Sequence, residues 1–187
     1  MVNWRNTGSV VTAKYICGHC GTTVTSGIGY HDEGAHYFIR ICPCGLPTFF
    51  DTQGHQYPAH AFGNAVGGVP TGGVNELYDE ARRCTSAIAY TSAVLTCRKI
   101  LMHVAVEKKA PVGKSFIEYV EYLSDKHYVP PDGKEWVDYI RTKGNEANHE
   151  ILLMGEEDAK DLITFTEMLL KFVYEFPKKI KSKETET

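Results

Sequence analysis

Residues 15–45 read YICGHCGTTVTSGIGYHDEGAHYFIRICPCG, and a pair of cysteines stands near each end of the stretch. Cys17 and Cys20 form C-x-x-C within CGHCG, and Cys42 and Cys44 form C-x-C within CPCG. A C-x-x-C turn can present two thiolates to one ion, and the glycine after each pair permits a tight knuckle. The 21 residues between the pairs are enough for a hairpin that brings the second pair back to the first. Zinc takes four soft, deprotonated ligands in a tetrahedron. The spacing therefore predicts one structural Zn2+ on Cys17, Cys20, Cys42 and Cys44. A small unit with a thin core needs such a staple. The second pair is the less regular one, stiffened by Pro43, and His19, His31 and His36 stand close enough in sequence to replace one cysteine. Paired disulfides or free thiols are the other use of such residues, but clustered pairs in a reducing compartment point to metal. Four thiolates leave no open coordination position, so the zinc is read as structural.

Around the cysteines the chain reads as short strands. SVVTAKYI (9–16), TTVTSGIGY (22–30) and HYFIRI (36–41) are rich in β-branched and aromatic residues and are separated by Gly and Asp-Glu-Gly breaks. Residues 54–73, GHQYPAHAFGNAVGGVPTGG, read as a long connector that packs on something, because it carries Tyr57 and Phe62.

From Val74 the period becomes helical. Leu77, Ala81 and Cys84 begin one face of a first helix near 75–87. Ala93, Cys97, Ile100, Leu101 and Val104 make a stripe at i, i+4, i+7, i+8 and i+11, placing a second helix near 90–109. Ser115 with Glu118 is a capping box before Phe116, Val120 and Leu123. Asp132 with Glu135 opens a fourth helix through about residue 151, carrying Trp136, Ile140, Ala147 and Ile151. Glu156, Glu157 and Asp158 suit the positive end of a helix dipole. The last helix buries Leu162, Phe165, Leu169, Phe172, Val173 and Phe176, stops at Pro177, and leaves KKIKSKETET as a frayed tail. The fold class is thus α+β: a small N-terminal β zinc ribbon at 1–53, a connector at 54–73, a bundle of about five helices at 74–180 and a flexible tail at 181–187.

The bulk numbers exclude some classes. A net charge of −3 predicts no strong pull toward phosphates or acidic membranes. No apolar run reaches the roughly 18 residues of a membrane span, and MVNWRNTGSVV lacks the apolar core of a signal peptide. The expected location is cytoplasmic. Cys84 and Cys97 fall on apolar helical stripes and read as small buried hydrophobes.

The other informative segment is IRTKGNEANHE (140–150). Arg141, Asn145 and His149 recur at i, i+4 and i+8 on one helix face. An Arg, an amide and an imidazole in line can bind phosphate or hold a ribose for cleavage. The plain alternative is a polar network tying the helix to its neighbours, or a solvated face. Arg82-Arg83 and Arg98-Lys99 could form a basic edge, though solvated helix faces explain them as well.

LYDEARRC, AVLTCRKILMHVAVEKKA and YIRTKGNEANHE together resemble the family known as domain of unknown function 4145. The carrying residues are Glu80 and Ala81 in the first helix, Arg98 in the second, and Gly144, Asn145 and His149 in the fourth, over roughly residues 70–178. The resemblance implies a helical bundle similar to the HEPN superfamily, in a bacterial or phage-defence setting, sometimes behind a zinc ribbon. Active HEPN ribonucleases carry Arg, a short spacer and His, and pair two such motifs across a homodimer. Here Gly144 stands at the usual Arg position, and seven residues separate Arg141 from His149, which is too many. The expectation is a non-catalytic, homodimeric component that binds RNA, DNA or a defence-system protein. A metal-independent ribonuclease using His149 with Arg141 or Arg98, and a structural adaptor, are the alternatives.

Overall fold

In the first third of the chain, β-branched and aromatic residues alternate between knuckles too tight for a helix, and antiparallel strands follow. The computed structural model describes residues 8–70, 72–129, 138–140, 142 and 153–184. The chain divides into two units, Met1–Ala61 and Phe62–Thr187.

The first unit is an antiparallel meander of β1 (Gly8–Ile16), β2 (Thr23–His31), β3 (Phe38–Ile41), β4 (Pro47–Phe50) and β5 (Gln56–Tyr57), paired in that order. Two of these strands, β4 and β5, go beyond the expected three. Pro47 is tolerated because it opens its strand, and residues 56–57 of the expected connector pair with β4. β1 carries a bulge between Ser9 and Ala13 opposite β2. The Arg40 guanidinium serves that bulge: its Nη1 donates to Val11 O at 2.5 Å and to Ser26 O at 3.1 Å.

The second unit holds α1 (Val74–Ser86), α2 (Tyr90–Glu107), α3 (Phe116–Asp125), α4 (Glu156–Leu170) and α5 (Phe176–Glu184) among the described residues. Residues 138–140 and 142 are also helical, with Ile140 fully buried in the core. The rest of the expected fourth helix, including Trp136, Ala147 and Ile151, lies outside the described residues. α2 is central, packing against α1, α3 and α4. Its stripe Ala93, Cys97, Ile100, Leu101 and Val104 is fully buried, as are Leu162, Ile163 and Leu169 of α4. Each such Leu or Ile contributes about 1.5–3 kcal/mol relative to an exposed one. The α3 capping box forms as expected. Glu118 N donates to Ser115 Oγ at 3.3 Å, and Ser115 N donates to Glu118 Oε2 at 2.8 Å.

The helix stop expected at Pro177 is corrected. A π turn at Lys171–Glu175 leads directly into α5, which runs through Pro177 to Glu184. Proline lacks an N–H and its ring displaces the carbonyl four residues back. A widened π turn directly before it takes up that displacement.

Residues 62–70 are bound to the helical unit rather than spanning freely. Arg82 donates from Nε to Phe62 O and from Nη2 to Gly63 O. Glu167 accepts from the Asn64 backbone at 2.8 Å and Glu175 from Gly67 N at 3.0 Å. Tyr78 Oη donates to Asn64 O at 3.0 Å, and Val66 is buried. Among the described residues, no helix is long and apolar enough to cross a membrane.

Candidate metal centre

A meander places alternate turns at the same end of its sheet. The β1–β2 turn carries Cys17 and Cys20, and the β3–β4 turn carries Cys42 and Cys44. The pairing order alone therefore brings the two cysteine pairs together. Each turn is closed by the same device. Cys17 N donates to Thr22 O at 3.0 Å, and Gly21 N returns to Cys17 O at 2.9 Å. In the second turn Cys42 N donates to Leu46 O at 3.2 Å, and Gly45 N returns to Cys42 O at 2.8 Å. Gly21 and Gly45 have φ of 68° and 87°, a left-handed backbone that a side chain would strain.

The four sulfurs lie within 4.8 Å of one another, with Cys17 Sγ 3.9 Å from Cys44 Sγ and Cys20 Sγ 3.7 Å from Cys42 Sγ. None is in a disulfide. Zn–S bonds of about 2.3 Å in a tetrahedron require sulfurs about 3.8 Å apart. The donor set and its spacing thus fit a tetrahedral thiolate metal site. The C-x-C pair, irregular in sequence, closes the set because Gly45 lets its knuckle turn as tightly as the first.

The thiols differ electrostatically. Hydrogen bonds from the Thr22 hydroxyl and backbone pull Cys20 down to about 6. Burial pushes Cys42 up to about 12 and raises Cys44 as well. Cys17 and Cys42 are buried while Cys20 and Cys44 are exposed, so the cluster sits at the edge of the unit's core with one side toward solvent.

The histidines considered as substitutes are occupied elsewhere. His19 Nε2 lies 2.9 Å from Pro47 O. His31 and His36 belong to the β2–β3 end of the sheet, where both contact Asp32.

Of the helical candidates, Arg98 is only 8% exposed. Its guanidinium lies 4.3 Å from the Phe116 ring centre, and Nη1 has no hydrogen-bond partner. Burial lowers its pKa. Arg98 is therefore part of the α2–α3 packing and does not present its charge to solvent. Of the four cations of the basic edge, Arg98 is buried and Arg82 is committed to the Phe62 and Gly63 carbonyls and to Asp79, while Arg83 and Lys99 are exposed. Arg141, Asn145, His149 and Gly144 lie outside the described residues. Cys97 is fully buried and its thiol is pushed up to about 12 by that burial; Cys84 is half-buried. Both fill space, as their stripes implied.

The three helical motifs and the cysteine cluster invite comparison with known proteins. No curated protein and no solved structure matches the chain significantly. Residues 79–186, more than half of the chain, match the Domain of unknown function (DUF4145), and the chain belongs to that family.

Proposed function

We propose that this chain is a non-catalytic binding protein in which one zinc ion staples a ribbon-like β unit that precedes a HEPN-like helical domain in the chain. The carrying observation is the sulfur geometry: four thiols at tetrahedral spacing offer zinc a complete donor set. With all four bound, the ion has no place for water or substrate, and its role is to hold the two knuckles. Cys17, Cys20, Cys42 and Cys44 would be the ligands. The metal supplies folding free energy rather than chemistry.

The helical domain supports the same direction. Gly144 replaces the arginine of active HEPN ribonucleases, and Arg98 is buried against Phe116. Metal-free RNA cleavage needs an accessible cation to stabilise phosphate charge, and neither position provides one. We therefore assign a binding role, as a homodimer, in a bacterial or phage defence or restriction setting, with nucleic acid as the favoured ligand. The purified chain should elute as a dimer and shift single-stranded RNA or DNA in a gel, without cleaving either. A monomer that shifts no nucleic acid, or cleavage abolished by His149→Ala, would contradict this assignment.

A further inference from the structure

The first unit contains a groove of about 410 Å³ on its sheet, lined by residues from β1, the β2–β3 loop, β3, β4 and the loop after β4. That volume lies in the range of small-molecule sites. Phe38 and Phe50 are half-buried and contribute flat apolar surface to it. They face each other across the β3–β4 pair. Arg40 lies between them, its guanidinium carbon 5.1 Å from the Phe38 ring centre and 5.6 Å from that of Phe50.

The charge of the groove is unbalanced. Arg40 is only 5% exposed, and its recorded bonds go to the Val11 and Ser26 carbonyls. No carboxylate pairs with it among the described residues. A buried cation in low dielectric acts more strongly on its surroundings than one in water. Lys14 adds an exposed ammonium without an ion pair among the described residues, whereas the His36 imidazole at the rim lies 3.5 Å from Asp32 Oδ2 and adds no unpaired charge. Asp51 is the one carboxylate lining the groove, and its own loop occupies it. Its Oδ1 accepts from Gln53 N and His55 N, and its Oδ2 lies 2.9 Å from His55 Nδ1. The groove thus combines flat apolar walls with uncompensated positive charge.

The geometry points to a nucleotide as its ligand: a base against Phe38 and Phe50 over the Arg40 charge, and a phosphate toward Lys14. Aromatic stacking accepts any base because every base has a π face, and a charge-assisted bond to phosphate fixes the polar end. This deepens the binding role proposed above by naming the ligand of the β unit. The nucleotide can arrive free or as one unit of a single strand.

Titration calorimetry of the full zinc-loaded chain with AMP, GMP, CMP, UMP and a single-stranded RNA of about ten nucleotides tests it. Binding is expected to weaken about tenfold in Lys14→Glu and again in Phe38→Leu, with zinc content unchanged as evidence that both variants fold. Equal affinity for mononucleotide and oligomer identifies a free nucleotide, and tighter oligomer binding identifies a strand; either result supports the site. Absence of binding by the wild-type chain overturns it. Oligomer binding that both variants retain in full also overturns the groove, while leaving the binding role of the chain intact. Tighter binding of phosphotyrosine than of any nucleotide overturns it in favour of a phosphopeptide.

Discussion

The two units solve the same problem by different means. The helical unit buries an apolar core drawn from every helix from α1 to α4, including Tyr78, Ile100, Leu101, Leu123, Leu162 and Phe165. The β unit gathers Tyr15, Cys17, Val24 and Cys42, with Phe50 on the flank. Two of those four buried residues are metal-ligand candidates. A unit of about 60 residues buries a smaller share of its surface than a larger domain and is correspondingly marginal. The contrast teaches that the β unit sets four thiols at coordination spacing where the helical unit sets packed apolar side chains.

Separate perturbations should break the two units separately. The largest effect is expected from Cys17→Ser, or from a strong chelator. Either should release the zinc and unfold the β unit, since the binding free energy of a structural zinc is folding free energy, about 10–16 kcal/mol in small zinc domains. The helical circular dichroism should persist, and its loss in the same transition would merge the units energetically. Next comes Phe165→Ala, which empties a fully packed position of α4. It should cost about 3–5 kcal/mol, lower the melting temperature of the helices and leave zinc content unchanged. Ser115→Ala removes the α3 cap and should cost about 1 kcal/mol in chemical denaturation.

The same cap gives the smallest effect and a pH signature. The Ser115 backbone N–H, with the Lys114 ammonium, holds the Glu118 carboxyl down from 4.5 to about 2. A carboxyl whose pKa is lower folded than unfolded stabilises above the unfolded value. That contribution should fall away between pH 4.5 and about 2 as the carboxyl protonates. In Glu118→Gln this part of the pH dependence should vanish from the melting curve.

The regularity of each unit set how far its sequence could be read. The α2 stripe repeats over three turns, and the Ser115–Glu118 box is a local signal, so both were visible in the chain. The cysteine spacing was equally plain, because ligand type and knuckle glycines are sequence properties. β4 and β5 were hidden, being four and two residues long, too short for alternation to register. The Gly-rich run after Gly54 read as connector, yet it contains β5 and, from Phe62, the segment bound by Arg82, Glu167 and Glu175. Only tertiary partners more than 100 residues away along the chain fix that segment on α4 and the π turn. Pro177 misled because the π turn that accommodates it has no sequence signature. Arg98 was legible as a family residue but not as a buried one, since its burial depends on Phe116 of the next helix. The Phe38–Arg40–Phe50 groove could not be seen in advance, because strand pairing assembles it from residues spread over 13–54.

The most direct test of the account is zinc K-edge X-ray absorption on the purified chain, with metal analysis of the same sample. The account predicts one zinc per chain with four sulfur neighbours at about 2.3 Å and no nitrogen or oxygen in the first shell. A chain that binds no zinc, or a zinc with fewer than four sulfur ligands, would contradict it.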